Sequence, residues 1–259
     1  MKWLPCNIYN MNCNIYNFEG KNILIDGGGR GIGKATAQLL AKLGARIILL
    51  DMKEHELKET VNSLEGDNHI IHTFDLSNLG QISTVISEIA AEVGGIDGYV
   101  HCVGIRSYQP LKVLDYSSLQ KVMNVNFVSF VEMTRQLMKK GNYNKGLSVV
   151  AISSISSKNG GAGVTAYAAS KAAIDGAIRS MAPELAKKGA RINSVMPGQT
   201  HTEAYDEIVG DSVDPVLNRQ YLGLSEPSDI ANVIAFLLSD SSRMITGAAI
   251  PVDGGYFTA

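Results

Sequence analysis

Asn22-Ile-Leu-Ile-Asp-Gly-Gly-Gly-Arg-Gly-Ile-Gly33 is the stretch that decides the fold. A short apolar run ends at Asp26, a cluster of glycines follows, and a helical pattern continues to Leu43. Glycines permit a tight turn and let backbone N–H groups approach a pyrophosphate at the N-terminus of a helix. The order of strand, glycine turn and helix therefore predicts a dinucleotide-binding unit, although any sharp turn tolerates glycines.

Asp51 strengthens this prediction, because it ends a second apolar run that begins at Arg46. A carboxylate at about this distance after Gly33 reaches the adenosine ribose. It hydrogen-bonds a free 2′-hydroxyl but repels a 2′-phosphate, so the sequence predicts NAD. Arg30 keeps NADP open, because a guanidinium can bind that phosphate; it can equally neutralise Asp51 or lie in solvent.

The rest of the chain alternates short apolar runs with longer helical patterns. Several runs are apolar throughout, as expected for strands covered on both faces. The alternation predicts an α/β fold, a single-domain Rossmann-like doubly wound parallel sheet of about seven strands with helices on both faces. The predicted strands are Asn22–Ile25, Arg46–Leu50, His69–Phe74, Gly98–His101, Leu147–Ile152, Arg191–Val195 and Ala248–Pro251, and the predicted helices are Gly31–Leu43, Lys53–Leu64, Gln81–Val93, Leu119–Lys139, Ala166–Lys188 and Pro227–Leu238.

The composition of the chain argues against several classes of function. The 259 residues, 45% of them hydrophobic, suit one large domain with a substantial core. A net charge of −2 gives no electrostatic reason to expect nucleic acid or an anionic membrane as partner. The sequence has no run of about 18 uncharged apolar residues, so we expect no membrane span. The three cysteines form neither a C-x-x-C pair nor a metal-ligand cluster, which favours a reduced cytoplasm and no metal.

The N-terminal segment differs from the rest. Cys6-Asn-Ile-Tyr-Asn10 recurs as Cys13-Asn-Ile-Tyr-Asn17, and the segment has no continuous apolar region typical of a secretory signal. We interpret residues 1–17 as a tail outside the fold, with Met11 as an alternative start. We predict that residues 18–259 form one NAD(P)-binding domain, and the residues described next predict that it is catalytic.

Tyr167-Ala-Ala-Ser-Lys171 carries the candidate chemistry. Positions i and i+4 share a helix face, so the ammonium should lie beside the phenol. A cation beside a phenol favours the phenolate, which a tyrosine needs to exchange protons near neutral pH. The spacing alone is also compatible with an ordinary helix. Ser154, thirteen residues upstream of Tyr167, favours the chemical interpretation.

Together these motifs resemble the short-chain dehydrogenase/reductase family in its single-domain form, from Phe18 to the C-terminus. The family's T-G-x-x-x-G-x-G motif corresponds to Asp26 through Gly33, its N-N-A-G stretch to His101 through Gly104, and its Y-x-x-x-K pair to Tyr167 and Lys171. The resemblance implies cofactor contacts at Gly27, Gly29, Arg30, Gly31, Ile32, Gly33, Asp51, Asp75, Leu76, Gly104, Tyr167, Lys171, Pro197, Gly198, Thr200 and Thr202.

The resemblance also implies a catalytic set of Asn126, Ser154, Tyr167 and Lys171, and hydride transfer between a secondary alcohol and a ketone with NAD(P). Tyr167 would take or give the substrate proton, and Lys171 would also hydrogen-bond the nicotinamide ribose. Ser154 would stabilise charge on the substrate oxygen. Asn126 would hold a water that links Lys171 to solvent. The residues alone also allow a purely structural interpretation, in which Ser154 is only a strand-end residue and Asn126 only caps a helix irregularity.

Two departures from the family pattern occur together. Asp26 replaces the usual threonine, and His101-Cys102-Val103 replaces Asn-Asn-Ala. The resemblance implies that these segments are adjacent. We therefore predict that Asp26 accepts a hydrogen bond from the His101 side chain or from backbone N–H groups near Cys102; independent drift would leave Asp26 in contact with water. Cys102 is predicted to be a buried apolar filler rather than a reactive thiol.

The sequence does not identify the substrate. A 3-oxoacyl-[acyl-carrier-protein] reductase is an alternative, but Pro183 stands where those reductases commonly carry a basic residue. A catalytically silent NAD(H)-binding regulatory protein is an alternative of another class. Arg106 either clamps a substrate carboxylate or lies in solvent. The resemblance implies a homotetramer or homodimer, formed through the helices at 119–139 and 166–188, and a segment at 199–225 that closes over the small-molecule substrate.

Overall fold

The computed structural model describes residues 16–209 and 216–258. Its parallel strands form one sheet in the order β3-β2-β1-β4-β5-β6-β7, which confirms the predicted doubly wound fold. Most of the repeated N-terminal segment lies outside the described residues. The strands are β1 (Asn22–Asp26), β2 (Arg46–Asp51), β3 (Ile70–Thr73), β4 (Ile96–His101), β5 (Tyr143–Ile152), β6 (Arg191–Pro197) and β7 (Ala249–Val252).

Successive side chains of a strand point to opposite faces of the sheet. A core covers each face, so the strands are apolar at consecutive positions. In β1, Leu24 packs into one core while Ile23 and Ile25 pack into the other. In β5, Val149 and Val150 divide in the same way. Burying an aliphatic side chain of this size contributes about 1.5–3 kcal/mol, so the continuous apolar runs stabilise a sheet covered on both sides.

The helices form two layers. Helices α3, α5 and α7 pack on one face of the sheet, and α1, α2 and α9 pack on the other. The helices are α1 (Gly31–Lys42), α2 (Glu54–Val61), α3 (Ile82–Val93), α4 (Tyr116–Met123), α5 (Ser129–Leu137), α6 (Ser156–Asn159), α7 (Thr165–Ala186), α8 (Glu203–Val209) and α9 (Pro227–Leu238).

One predicted helix differs in its interior. The segment predicted as a single helix at 119–139 begins earlier, at Tyr116, because the Asp115 side chain caps it by accepting the backbone N–H of Ser118. A π-helical turn at Asn124–Val128 then separates α4 from α5. Such a turn widens the helix by one residue and is frequent at functional sites. It carries the buried Asn126.

The sheet order places the functional end. β1 pairs with β2 on one side and β4 on the other, so the chain reverses direction across the sheet at β1. In such sheets ligands bind in the crevice at the carboxyl ends of the strands. Asp26 and His101 are register partners at that end. Within the described residues, no helix is long and apolar enough to cross a membrane, and no group of three or more potential ligands clusters as a metal site.

Candidate active site

A cleft of about 470 Å³ opens at the carboxyl edge of the sheet. Sequence reasoning predicted many of the residues that line it. Most of the residues it missed are chain neighbours of predicted ones, whereas Lys121 of α4 and Ile152 of β5 are not. The predicted lining residues are Gly27, Arg30, Gly31, Ile32, Gly33, Asp51, Asp75, Leu76, Gly104 and Thr202, and the missed ones include Met52, Lys53, Phe74, Val103, Ile105, Lys121, Ile152 and Glu203.

The glycine turn fits a dinucleotide. Gly27 and Gly31 adopt φ values of 63° and 54°, in the left-handed region that favours glycine. A Cβ on Gly33 would lie 2.1 Å from the carbonyl oxygen of Gly27, so only glycine lets α1 close onto the turn. No side chain caps the start of α1. Its first N–H groups are therefore left for an anion, which a pyrophosphate supplies.

Asp51 lines the cleft, and its carboxylate accepts the backbone N–H of Lys53 at 3.2 Å. Arg30, which also lines the cleft, instead forms an ion pair with Glu207 of α8 at 2.9 Å. That hydrogen bond raises the pKa of Arg30 above its ordinary value. The arginine charge is therefore engaged by the segment after β6 rather than by Asp51.

Tyr167 and Lys171 are neighbours on α7, as their spacing predicts. The Lys171 ammonium is buried and lies 5.8 Å from the centre of the Tyr167 ring. It donates a hydrogen bond of 2.7 Å to the carbonyl of Ile152, the last residue of β5. Ser154 follows that strand, and its hydroxyl accepts the backbone N–H of Ser156 at 3.1 Å. The end of β5 therefore orients the lysine and carries the serine.

Asn126 connects the π turn to the cleft. Its amide group bonds the backbone of Ile105 in both directions, accepting the N–H at 2.8 Å and donating to the carbonyl at 3.0 Å. It also donates to the Ser170 hydroxyl at 3.0 Å. The side-chain oxygen and both amide hydrogens of Asn126 are thus engaged within the protein. That Asn126 holds a relay water stays a prediction. A Cβ on Gly104 would lie 3.2 Å from the Lys171 ammonium.

The predicted contact of Asp26 is confirmed. Its carboxylate accepts the backbone N–H groups of Cys102 at 2.8 Å and Val103 at 2.9 Å, and lies 2.7 Å from Nδ1 of His101. Sequence reasoning missed Tyr99, whose hydroxyl donates to the same carboxylate at 2.6 Å. Burial, and to a lesser degree the Asp26 charge, raises the pKa of the half-buried Cys102 thiol well above its ordinary value.

A second buried carboxylate was also missed. Asp175 lies one turn after Lys171 on α7 and is 5% exposed. It accepts the hydroxyls of Ser153 at 2.9 Å and Ser194 at 2.7 Å, so it fastens α7 to the ends of β5 and to β6. The only sequence signal was its i+4 spacing from the lysine, which by itself indicates no partner.

The segment after β6 divides into cleft-lining and connecting residues. Thr202 lines the cleft, whereas Pro197, Gly198 and Thr200 lie outside its lining. The Pro197 carbonyl accepts the Ile155 N–H, the Gly198 N–H donates to Val252, and Thr200 bridges Ser225. Residues 210–215 of this segment lie outside the described residues.

Arg106 lies over the site. Its guanidinium carbon is 6.0 Å from the centre of the Tyr167 ring, although the arginine side chain is exposed. This distance is within the range of a cation–π contact. The arginine predicted as either a clamp or a solvated group is therefore placed beside the candidate catalytic tyrosine.

The sheet order, glycine turn and cleft define a dinucleotide-binding α/β protein. A family model described as Enoyl-(Acyl carrier protein) reductase matches residues 27–257. The 3-oxoacyl-[acyl-carrier-protein] reductase FabG of Thermotoga maritima is 34% identical over 243 residues, which cover 92% of this chain and 98% of the relative. The acetoacetyl-CoA reductase of Allochromatium vinosum is 31% identical, with 90% and 97% covered.

The solved structures that the chain resembles include members of the same family. A short-chain dehydrogenase/reductase from Brucella melitensis, titled a glucose/ribitol dehydrogenase, has a TM-score of 0.88 and 28% identity, and the match covers 94% of this chain and 99% of that one. The chain belongs to the short-chain dehydrogenase/reductase family. It is an oxidoreductase of the class that acts on the CH–OH/C=O pair with NAD(P).

Proposed function

We propose that this protein is an NAD-dependent dehydrogenase or ketoreductase that interconverts a small secondary alcohol and its ketone, with Tyr167 as general acid/base. The observation that carries the proposal is the Lys171 ammonium, which the Ile152 carbonyl holds beside the Tyr167 ring. Ile152 lines the cleft that the glycine turn opens. A phenol with an ammonium beside it, on a helix that the end of β5 ties to a dinucleotide cleft, is the arrangement that coupled proton and hydride transfer needs.

The cofactor would be held along the cleft. The backbone from Gly27 to Gly33 would bind the pyrophosphate, Asp51 the adenosine ribose, and Asp75 with Leu76 the adenine, while Gly104 and Thr202 would lie near the nicotinamide half. The bound nicotinamide accepts or supplies the hydride. In oxidation, Tyr167 takes the proton of the substrate hydroxyl, Lys171 stabilises the phenolate, and Ser154 hydrogen-bonds the substrate oxygen. In reduction the same phenol returns the proton.

Asp51 supports NAD over NADP. It lines the cleft directly after β2, and a 2′-phosphate beside it would be repelled. Of the cations nearby that could accept such a phosphate, Arg30 is engaged by Glu207 and Lys53 by Glu56. We expect Asp51→Ser to shift the ratio of kcat/KM for NAD over NADP toward NADP by about tenfold or more, since each 1.4 kcal/mol is a factor of ten. An unchanged ratio would count against this role of Asp51.

A 3-oxoacyl thioester is a second candidate substrate, because several curated relatives are named as 3-oxoacyl-[acyl-carrier-protein] reductases. Docking an acyl carrier protein favours basic residues on nearby helices, because that partner is acidic. Here Pro183 lies inside α7, and Arg135 of α5 is bonded by Glu132 at 2.7 and 2.8 Å. These features make the small alcohol or ketone the first proposal.

A substrate panel with NAD(H) and NADP(H) tests the proposal. It should pair each secondary alcohol with a carboxylated analogue, since Arg106 lies beside Tyr167, and should include 3-oxoacyl thioesters. We expect cofactor-linked absorbance changes with at least one alcohol–ketone pair. Turnover confined to thioesters would favour the second candidate, whereas cofactor binding without any turnover would favour a silent NAD(H)-binding regulator.

A further inference from the structure

Three polar side chains lie fully buried beneath the cleft and have no role in the chemistry proposed above. Asp26, Tyr99 and His101 are all 0% exposed. They stand at the carboxyl ends of β1 and β4. The cleft wall formed by residues 102–105 continues directly from His101. Burying a charge is costly unless it is paired and hydrogen-bonded, so the contacts of this cluster determine its charge.

The Asp26 carboxylate accepts hydrogen bonds at both of its oxygens. One oxygen accepts two backbone N–H groups, those of Cys102 and Val103, which cannot reverse their roles. The other accepts the Tyr99 hydroxyl at 2.6 Å. Hydrogen bonds to a carboxylate favour its charged form. Nδ1 of His101, 2.7 Å from that second oxygen, therefore carries a proton directed at Asp26.

The other ring nitrogen of His101 also faces an acceptor. Nε2 lies 3.2 Å from the backbone carbonyl of Asn126 in the π turn. A carbonyl oxygen only accepts, so this contact is a hydrogen bond when Nε2 carries a proton. A ring that donates to both acceptors is an imidazolium, which is the form that the inference below assigns to His101. The other groups that face the ring are the Tyr99 hydroxyl, 3.1 Å from Nδ1, and the Phe130 ring of α5, whose centre is 5.2 Å away.

His101 links the two residues whose side chains hold the cleft wall, Asp26 and Asn126. Asp26 binds the backbone of residues 102 and 103, and Asn126 binds the backbone of Ile105. Asn126 also bonds Ser170, the residue before Lys171. The His101 ring contacts the Asp26 carboxylate through Nδ1 and the Asn126 backbone carbonyl through Nε2.

We propose that Asp26 and His101 are positioning residues: their buried carboxylate–imidazolium pair fixes the Asn126 peptide and, through it, the cleft wall beside Lys171. The inference rests on the proposed function, because it assigns the pair to the placement of the proton-transfer site. Without the pair, residues 102–105 and Asn126 lose a common anchor. Lys171 is then less well held beside Tyr167, so proton transfer changes and not only the stability of the fold.

The first test needs no turnover. Nitrogen NMR of the histidine rings, on the full chain without cofactor, reports the protons on each ring nitrogen. The chain has five histidines, and His101→Asn identifies the signal of interest by its loss. We expect the His101 ring to carry both protons at neutral pH, and Asp26→Asn to convert it to a ring with one. A wild-type His101 ring with a single proton would overturn the proposal.

The second test is the pH profile of kcat/KM for alcohol oxidation. We expect Asp26→Asn and His101→Asn each to move the acid limb to higher pH and to lower the rate at neutral pH about tenfold or more, because Lys171 is then less well held beside the essential base. Ser148→Ala is the matched control: it removes another buried hydrogen bond, the one of 2.9 Å to the Leu237 carbonyl, and should leave the profile in place.

The double variant Asp26→Thr/His101→Asn measures the coupling. It leaves no unpaired buried charge, so we expect it to be less impaired than the sum of the single losses. Additive losses, or an unshifted profile in a folded Asp26→Asn, would overturn the inference. If a single variant does not fold, the NMR measurement on the wild type decides. A wild type inactive on every substrate would instead contradict the proposed function.

Discussion

Lys171 is the residue around which the candidate site is arranged. A buried ammonium requires partners, and this one has the Ile152 carbonyl at 2.7 Å and the Tyr167 ring beside it. The space above Gly104 is open only because a side chain is missing there: a Cβ would lie 3.2 Å from the ammonium and 3.7 Å from the Asn126 amide oxygen. A small residue at this point keeps the lysine and the asparagine accessible from the cleft.

Gly104→Ala tests that space. The backbone at Gly104 is not left-handed, so alanine is sterically allowed, but its methyl group would press on Lys171. We expect kcat/KM to fall about tenfold, a loss worth about 1.4 kcal/mol, while the protein stays folded. Gly80→Ala is the matched control, because a Cβ there meets nothing within 4 Å. Equal kinetics for the two variants would show that the space at Gly104 is not used.

Cys102 gives a second prediction at this scale. Burial raises the pKa of its thiol well above the ordinary value, and the Asp26 charge acts in the same direction. Since only the thiolate reacts, we expect Cys102 in the folded protein to resist alkylation at pH 8. The measurement uses a variant with Cys6→Ser and Cys13→Ser, so that Cys102 is the sole thiol. Rapid labelling without denaturant would contradict the prediction.

Single residues were predictable from the sequence where they departed from a pattern. Asp26 and His101 replace family residues in segments that the resemblance makes neighbours, and so their contact could be predicted. Tyr99 lies inside an apolar strand and departs from nothing, so its hydroxyl could not be paired with Asp26 in advance. Asp175 was missed for a related reason: its partners, Ser153 and Ser194, come from strands whose alignment depends on sheet register.

At the scale of elements, the apolar periodicity of the sequence predicts the strands and helices. One residue of the candidate site, Asn126, lies where the regular helix is interrupted by a π turn. The strand and helix order follows from apolar patterns that the two cores require. The π turn at Asn124–Val128 does not, since its extra residue is stabilised by contacts from elsewhere: the Ile105 backbone, the Ser170 hydroxyl and the His101 ring. A local pattern cannot report contacts that depend on tertiary structure.

Asp175 tests how α7 is fastened to the sheet. Asp175→Ala removes the acceptor of the buried Ser194 hydroxyl and leaves the Ser153 hydroxyl with only the Lys171 carbonyl, at 3.3 Å. We expect a loss of about 1–3 kcal/mol in the free energy of unfolding, because unsatisfied buried donors cost about that much. Asp175→Asn keeps one acceptor oxygen and should lose less. Glu184→Ala, on an exposed position of the same helix, is the control in chemical denaturation; an equal loss there would refute this role.

At the scale of the whole molecule, the carboxyl edge of one sheet brings together the segments that would hold the cofactor. The glycine turn after β1, Asp51 after β2, the wall after β4 and Ile152 at the end of β5 all meet the same cleft. The class of reaction could be predicted from this convergence, whereas the substrate could not. The family resemblance implies that the segment at 199–225 closes over the substrate, and no sequence pattern predicts the shape of such a segment. We propose that copies associate through α4–α5 and α7, as the family resemblance implies; sedimentation of the purified protein measures it.

The central claim is tested most directly by Tyr167→Phe, with turnover and NAD binding measured on the same preparation. The change removes one hydroxyl and leaves the ring beside Lys171. We expect kcat to fall about 100-fold or more, as for loss of a general acid/base, while the dissociation constant for NAD changes little. Tyr143→Phe, at the start of β5, is the matched control and should keep wild-type turnover. Near-normal turnover by Tyr167→Phe would contradict the account.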